Sequence, residues 1–353
     1  MPLNLDAIHG PYLDDLLHQP DALASTLAAL RESEILTRIA RECPPSRFQR
    51  IVLTGMGGSF HVLHPIAIEL AAHGLTPLLL ETSELIHFYP GLLAPTTLLI
   101  AISQSGQSAE TVRLLDLNTG LNAGAATIIG ITNTPASPLA ARSHFTVLTA
   151  AGSEHSVSCK TYVSSLLALS ALASALTGGD IAARLRDLEP AASAVESYLH
   201  DWQSHAQEFA ALLRDSRDLF LVGRGPSLAS ALTGALILKE STRAHAEGMS
   251  SAAFRHGPFE ILEPGIFIGI FAGDAIARPL NQRLLHDIEP TGATAVLFSP
   301  DSPRAACRVP QVPAPLLPIA EILPAQMLTL ALAALRQHQP GRFRWSGKIT
   351  VVE

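Results

Sequence analysis

The chain has 353 residues, of which 48% are hydrophobic and only 16% are charged, so it is not a disordered protein and can form two ordinary domains with full cores. Its net charge is −7 and no basic stripe occurs along it, which argues against a nucleic-acid-binding surface. A phosphorylated ligand would therefore have to be held by local dipoles, because the overall field repels it.

Helical patterns and short apolar runs alternate along most of the chain. Two helical stretches, at about 11–19 and 21–42, form an N-terminal segment over residues 1–45. In the segment 46–180, apolar runs predict strands at 51–53, 78–80, 98–102, 128–131 and 145–148. This alternation is typical of an α/β fold in which helices cover both faces of a parallel sheet.

A second series of the same kind follows. Residues 181–214 form a predicted linker helix, interrupted near Glu189-Pro190, and a second domain spans 215–340. Apolar runs predict its strands at 219–222, 266–271, 295–298 and 316–319. The tail over 341–353 is too short for a domain, but its apolar end can dock on the body and hold Lys348 in a fixed place.

The two series superimpose at one offset. Three positions after the first strand recur 168 residues later (223 − 55): Gly55, Gly57 and Ser59 match Gly223, Gly225 and Ser227. The same offset carries 100–102 onto 268–270 and 127–129 onto 295–297 without a gap. We therefore interpret the chain as a tandem duplication of one α/β unit.

The loop after the third strand is the most informative segment. Residues 102–110 read Ile-Ser-Gln-Ser-Gly-Gln-Ser-Ala-Glu, between an apolar run and a helical pattern. Hydroxyl groups beside the free N–H groups of a helix N-terminus can bind a dianionic phosphate without a lysine. At the same offset the second copy reads Phe-Ala-Gly-Asp, at 271–274, which is a poor phosphate site. This difference favours phosphate binding by the first loop, and simple helix capping is the alternative.

No cofactor or metal is expected. The 55–59 turn lacks the third glycine of a dinucleotide-binding loop, whose position falls at Phe60, and no Cys-x-x-Cys or closely spaced ligand set occurs.

The three cysteines, Cys43, Cys159 and Cys307, fit a reducing cytosol. The sequence shows neither a signal-peptide pattern nor an uninterrupted apolar run long enough for a membrane span. A cytoplasmic location is therefore expected.

The second copy supplies candidate acid–base groups. Glu240 lies on the helix predicted after Ser227, and His256 lies in a Phe-Arg-His-Gly-Pro segment, 254–258. A carboxylate and an imidazole are the usual groups that move protons near neutral pH. The alternative is that Glu240 is a solvated helix residue and that His256 caps or packs, and from spacing alone this alternative is the stronger.

These segments carry a resemblance to the SIS (sugar isomerase) domain family, and most closely to the isomerase half of the glutamine–fructose-6-phosphate aminotransferases. The shared stretches are 55–59, 103–110, 154–160, 223–248, 256–258 and 348–353. The Ser-Gln-Ser-Gly loop and the His-Gly-Pro tripeptide are the most specific of them. The resemblance implies a double SIS domain, in which two tandem flavodoxin-like αβα sandwiches each contain a parallel sheet.

The resemblance also implies roles for individual residues. The positions that match those holding the sugar phosphate are Gly57, Ser59, Ser103, Gln104, Ser105 and Ser108. Glu240 would move a proton between C1 and C2, and His256, contributed across the interface of a homodimer, would open the sugar ring. Lys348 would form an imine with the open-chain ketose, which acidifies the adjacent C–H bond.

Three departures from the family pattern matter. The chain begins Met-Pro-Leu without a cysteine nucleophile, so a glutaminase domain and glutamine as nitrogen donor are not expected. Ile237 replaces the additional lysine that the family has three residues before the glutamate, which argues against amination. The stretch 154–160 is one residue shorter than in the aminotransferases, so Ser158 and Cys159 are candidate contacts to the sugar only.

The sequence therefore predicts a cytoplasmic, homodimeric phosphosugar isomerase that acts on a ketose or amino sugar 6-phosphate, with or without release of the amine as a deaminase or deglycase. Neither a nucleic acid nor a membrane is an expected partner. The alternative is a regulatory protein that binds a phosphosugar without changing it. Residues 1–45 are acidic to neutral and hold too few helices for a helix-turn-helix module, and the presence of Glu240, His256 and Lys348 together favours the enzyme.

Overall fold

The structure is a computed structural model that describes residues 4–120, 125–345 and 347–350. The described residues form two separate parallel β-sheets with helices between the strands. The strands of the first sheet are β1 (Arg50–Gly55), β2 (Pro77–Glu81), β3 (Thr97–Ile102), β4 (Thr127–Thr132) and β5 (Phe145–Leu148). Those of the second are β6 (Asp218–Gly223), β7 (His245–Ser250), β8 (Ile266–Phe271) and β9 (Thr294–Phe298). The predicted fold class, α/β with parallel sheets, is confirmed.

Helices precede, separate and follow the strands. Those up to the end of the first copy are α1 (Pro11–Leu17), α2 (Gln19–Glu32), α3 (Ile35–Glu42), α4 (Gly58–His61), α5 (Leu63–Ala72), α6 (Thr82–Phe88), α7 (Ala109–Thr119), α8 (Pro138–Arg142) and α9 (Lys160–Thr177). Those that follow are α10 (Ile181–Asp187), α11 (Ala191–Leu199), α12 (Trp202–Leu213), α13 (Leu228–Thr242), α14 (Ser251–Arg255), α15 (Arg278–Ile288) and α16 (Leu317–Leu335).

The two sheets repeat one topology. The first has the strand order β2-β1-β3-β4-β5, which is the flavodoxin-like order, and the second has the matching order β7-β6-β8-β9. Every residue of the central strands β3 and β8 is buried, as expected when helices cover both faces of a parallel sheet. In the first sheet, the side chains of Leu99 and Ala101 share one apolar cluster with Leu114 and Leu115 of α7.

The chain divides into two compact units, each carrying one sheet. The first unit comprises Asp21–Glu154, Lys160–Glu189 and Trp345–Glu353. The second comprises Met1–Pro20, His155–Cys159 and Pro190–Arg344. The segment that carries Lys348 therefore belongs to the first unit, although it follows the second sheet in the sequence.

Two elements of the second copy differ from the prediction. Residues 316–319 are not a strand, because Leu317 and Pro318 begin α16, and a proline in the first turn suits a helix. A short apolar run does not by itself distinguish a strand from a buried helix. The edge strand β7 was not predicted, since His-Ala-Glu-Gly-Met-Ser is polar and contains a glycine, and its pairing with β6 forms it.

The helices also differ in number from the prediction. The stretch 21–42 is not one helix, because α2 ends at Glu32 and α3 begins at Ile35. The predicted linker helix over 181–214 is three helices, α10, α11 and α12, separated at 188–190 and at 200–201. α16 lies in a 22-residue stretch, Ala314–Leu335, that is long and apolar enough to cross a membrane. However, 94% of the most apolar 18-residue segment of this stretch is buried inside the protein, as in the core helix of a soluble protein.

The pairing of the strands shows that the two copies do not align at the one constant offset that the sequence comparison predicted. Arg50 pairs with Thr97, whereas Asp218 pairs with Ile266, so the offset is 168 for the first strand (218 − 50) and 169 for the third (266 − 97). For the fourth strand the offset is 167, because Thr127 and Thr294 occupy equivalent places beside their neighbours (294 − 127). Connections that differ by one or two residues account for these shifts.

Candidate functional site

The serine loop, residues 103–108, follows β3 and is folded by its own hydroxyl groups. The Ser103 N–H donates to Ile131 O over 3.1 Å, and the Gly106 N–H donates to Ser103 Oγ, also over 3.1 Å. Gly106 has a φ of +64°, and a Cβ placed on it would lie 2.2 Å from Ser137 Oγ, so only glycine fits this turn. The result is a tight loop in which Ser103 and Ser105 are each only 7% exposed.

The loop hydroxyls accept bonds from backbone donors. Ser108 is the N-cap of α7 and accepts from the Thr111 N–H over 3.4 Å, while Ser105 Oγ accepts from the Gln107 N–H over the same distance. Capping therefore accounts for part of this serine pattern, as the alternative interpretation held. A hydroxyl that accepts one bond still has its own O–H to donate, and so the loop keeps donors for an anion.

The turn after β1 lies beside this loop. β1 and β3 are neighbours in the sheet, and the strand order changes direction between them, which is the place where open α/β sheets bind ligands. Gly57 has a φ of +51°, and Ser59 lies on the short helix α4 that follows. A Cβ on Gly55 would lie 2.9 Å from the Ser59 backbone, so this glycine allows the helix to begin directly against the strand.

The described part of the C-terminal tail, up to residue 350, is hydrogen-bonded within the same unit. The Ala109 N–H, at the first residue of α7, donates to Thr350 O over 3.1 Å. Lys348 Nζ donates to Glu154 Oε2 over 2.7 Å, and the Glu154 side chain is fully buried. Glu154 also accepts from the Thr161 N–H at 3.0 Å and from its hydroxyl at 2.7 Å. A carboxylate that is itself fixed therefore fixes the ammonium group of Lys348.

The other candidate residues belong to the second unit. Glu240 is half-buried near the end of α13, and Ile237, one turn before it, is 1% exposed. His256 is exposed at the C-cap of α14, where its N–H donates to Ala253 O over 2.9 Å. Ser158 is half-buried and Cys159 is buried, and both lie in the segment His155–Cys159.

The structure thus places the serine loop, the 55–59 turn and Lys348 in the first unit, and Glu240, His256, Ser158 and Cys159 in the second. Sequence reasoning gave no role to Glu154 as the partner of Lys348. The only signal was its place in the stretch 154–160, because a contact between positions 194 residues apart leaves no local pattern. The bond from Ala109 to the tail was missed for the same reason.

Comparison with known proteins supports this description. The profile of the SIS domain family matches residues 46–175, which contain the first sheet and the serine loop. A glutamine–fructose-6-phosphate aminotransferase from Pyrococcus horikoshii is 32% identical over 355 residues, which cover 97% of this chain and 57% of that protein. The chain therefore spans a little over half the length of the curated relatives that it matches.

Solved structures share the whole fold. The C-terminal domain of glucosamine-fructose-6-phosphate aminotransferase from Francisella tularensis superimposes with a TM-score of 0.82 at 21% identity, covering 96% of this chain and 99% of that one. A protein from Silicibacter pomeroyi, assigned as a phosphosugar isomerase, superimposes with a TM-score of 0.79 at 27% identity, covering 94% and 99% of the two chains. The protein is thus of the α/β class with two flavodoxin-like sheets. The predicted resemblance to the SIS domain family is confirmed, and the family profile covers residues 46–175.

Proposed function

We propose that this protein is an isomerase of a ketose or amino sugar 6-phosphate and that the serine loop holds the phosphate group. The observation that carries this proposal is the position of the loop at the switch point of the first sheet, with its hydroxyl groups fixed by backbone donors. The N-terminus of α7 adds a favourable dipole for a dianion. A phosphate can therefore be bound here although the net charge of the chain is −7.

Lys348 and Glu154 are proposed to act on the sugar carbonyl. An amine attacks a carbonyl only in its neutral form, and Glu154 Oε2, at 2.7 Å from Lys348 Nζ, is in place to take the proton. Attack on C2 of the open-chain ketose and loss of water would form an imine. In the amine-releasing direction, Glu240 would move a proton from C2 of the amino aldose to C1, as its match to the family's carboxylate implies, which leaves an imine at C2. Lys348 would then displace ammonia from C2, and water would hydrolyse the lysine imine to release the ketose. In isomerisation without an amine, water would hydrolyse the imine first, and Glu240 would then move the proton from C1 to C2 of the open-chain ketose.

His256 is proposed to open the sugar ring across a dimer interface. Its exposed position at the end of α14 suits a residue that is taken up by the site of a second copy of the chain. Gly57, Ser59 and Gln104 are proposed to complete the phosphate site, with Ser158 and Cys159 as contacts to the sugar. A cytoplasmic location is proposed as well, in keeping with three free, buried cysteines.

A substrate panel tests the proposal directly. Wild type, Glu240→Gln and the control Glu247→Gln, a change on the solvent-exposed side of β7, are incubated with hexose and hexosamine 6-phosphates. Ketose or aldose formation and ammonia release are both measured, which separates isomerisation from deamination. We expect turnover by wild type and the control, and a loss of at least a hundredfold in Glu240→Gln.

Two results would reverse the proposal in different ways. Full activity of Glu240→Gln would remove the proton shuttle from this carboxylate. Tight binding of a sugar phosphate by wild type, with no turnover across the panel, would favour the regulatory alternative instead. If wild type binds a sugar phosphate without turnover, loss of that binding in Ser105→Ala would still assign the phosphate to the serine loop.

A further inference from the structure

The second copy holds a buried carboxyl group where its strands end. Glu321 lies on the apolar helix α16 and is 1% exposed. Its Oε1 accepts a hydrogen bond from Ser227 Oγ over 3.0 Å and another from the Gly273 N–H over 3.2 Å. Among the described residues Oε2 has no hydrogen-bond partner. Burial raises the pKa of this carboxyl to about 8, against the opposing effect of the two hydrogen bonds.

The two donors are the counterparts of proposed phosphate ligands in the first copy. Ser227 follows β6 as Ser59 follows β1. In each copy a Cβ on the glycine that ends the strand, Gly223 or Gly55, would lie 2.9 Å from the backbone of that serine. Gly273 is the counterpart of Gln104, since the sheet register gives an offset of 169 at this strand. A Cβ on Gly273 would lie 3.3 Å from Ser227 Oγ, so the turn and the loop converge.

We propose that the Glu321 carboxyl group fills the oxyanion site of the second copy, an inference that rests on the phosphate site proposed for the first copy. The second copy then carries a latent oxyanion site that is closed by a side chain of its own chain, and the protein binds one sugar phosphate per chain. The residue that replaces a phosphate ligand in the second copy also argues against anion binding there. The counterpart of Ser105 is Asp274, which caps the loop through the Ile276 and Ala277 N–H groups at 2.9 Å and repels an anion.

A surface cavity adjoins the latent site. Gly273, Asp274 and Arg278 line this cavity of about 690 Å³, and Gly273 is also the residue whose N–H donates to Glu321. We therefore expect a small ion to reach Ser227 Oγ and the Gly273 N–H once the carboxyl group is removed. Asp274→Ser restores the hydroxyl of the first copy and keeps a residue that can cap the loop.

The number of inorganic phosphate ions bound per chain tests the inference. Wild type and the double variant Glu321→Ala, Asp274→Ser are titrated with inorganic phosphate by calorimetry and by 31P NMR. We expect one more phosphate per chain in the double variant than in wild type. Addition of Ser227→Ala should abolish this extra site, and Glu321→Gln, which keeps the acceptor for Ser227 and Gly273, should show no increment.

The difference in bound phosphate between the double variant and wild type tests this inference separately from the proposed function. If the serine loop of the first copy binds no phosphate, the wild-type count falls to zero but the increment is unchanged. An equal count in wild type and a folded double variant would overturn the latent site. If that variant does not fold, Glu321→Ser with Asp274→Ser, which leaves a hydroxyl beside Ser227, takes its place. Phosphate bound at Ser227 in crystals of wild type would also contradict the closure.

Discussion

Replacement of Glu321 by glutamine should change how the stability of the protein depends on pH. The carboxyl group is buried on α16 and shares two hydrogen bonds with Ser227 and Gly273. A glutamine has the same shape, its carbonyl oxygen can accept both bonds, and it does not ionise. The variant therefore removes the titration while it keeps the packing.

The size of the effect follows from the pKa. Burial raises the pKa of Glu321 from its ordinary 4.5 to about 8, with a smaller rise from the charge of Asp274 and a smaller decrease from that of Arg278. Because the folded-state pKa is the higher one, the stabilisation by the protonated form is complete below pH 4.5 and is lost as the pH rises through about 8. At about 1.4 kcal/mol per pH unit, the loss amounts to at most about 5 kcal/mol.

Urea unfolding of wild type and Glu321→Gln between pH 5 and pH 9 measures this loss. The second unit should gain stability in the variant, relative to wild type, by an amount that increases with pH and levels off above pH 8. Glu260→Gln, which changes an exposed carboxyl of the same unit, should leave the curve parallel to that of wild type. Parallel curves for Glu321→Gln would refute the assignment of a raised pKa to this group.

Three further predictions concern the first unit. Ser105→Ala should weaken sugar-phosphate binding by about 10- to 150-fold, the value of a hydrogen bond to a charged group, as calorimetry would show. Gly106→Ala should destabilise the unit by about 1–3 kcal/mol in urea unfolding, because its φ is +64° and its Cβ would lie 2.2 Å from Ser137 Oγ. Glu154→Gln should lower kcat with little change in KM, because Lys348 loses its proton acceptor, and an unchanged kcat would contradict that role.

Most of the first sheet could be predicted because its strands are short apolar runs between helices. β1 to β5 all lie where such runs occur, and their order is one of the common orders of a doubly wound parallel sheet. Local sequence patterns do not predict the elements that tertiary contacts decide. β7 is polar and exists through its pairing with β6, and residues 316–319 are apolar because α16 is buried on all sides.

The candidate site was predictable in part for a similar reason. The serine loop is a contiguous segment whose strand, turn and helix start can all be recognised locally. Glu154 and Glu321 could not be found in this way, since their partners, Lys348 and Ser227, lie 194 and 94 residues away in the sequence. A lone glutamate within the apolar helix α16 was a usable signal for Glu321, because a carboxyl is rarely buried without a hydrogen-bonding partner.

Borohydride trapping tests most directly the claim that the serine loop and Lys348 act on one phosphorylated ketose. The chain has three lysines, Lys160, Lys239 and Lys348, so mass spectrometry of the reduced adduct assigns the site without ambiguity. We predict an adduct of a hexose 6-phosphate on Lys348, its loss in Ser105→Ala, and none with the unphosphorylated sugar. Turnover of the same sugar phosphate without an adduct on Lys348, or with the adduct on another lysine, would contradict the account.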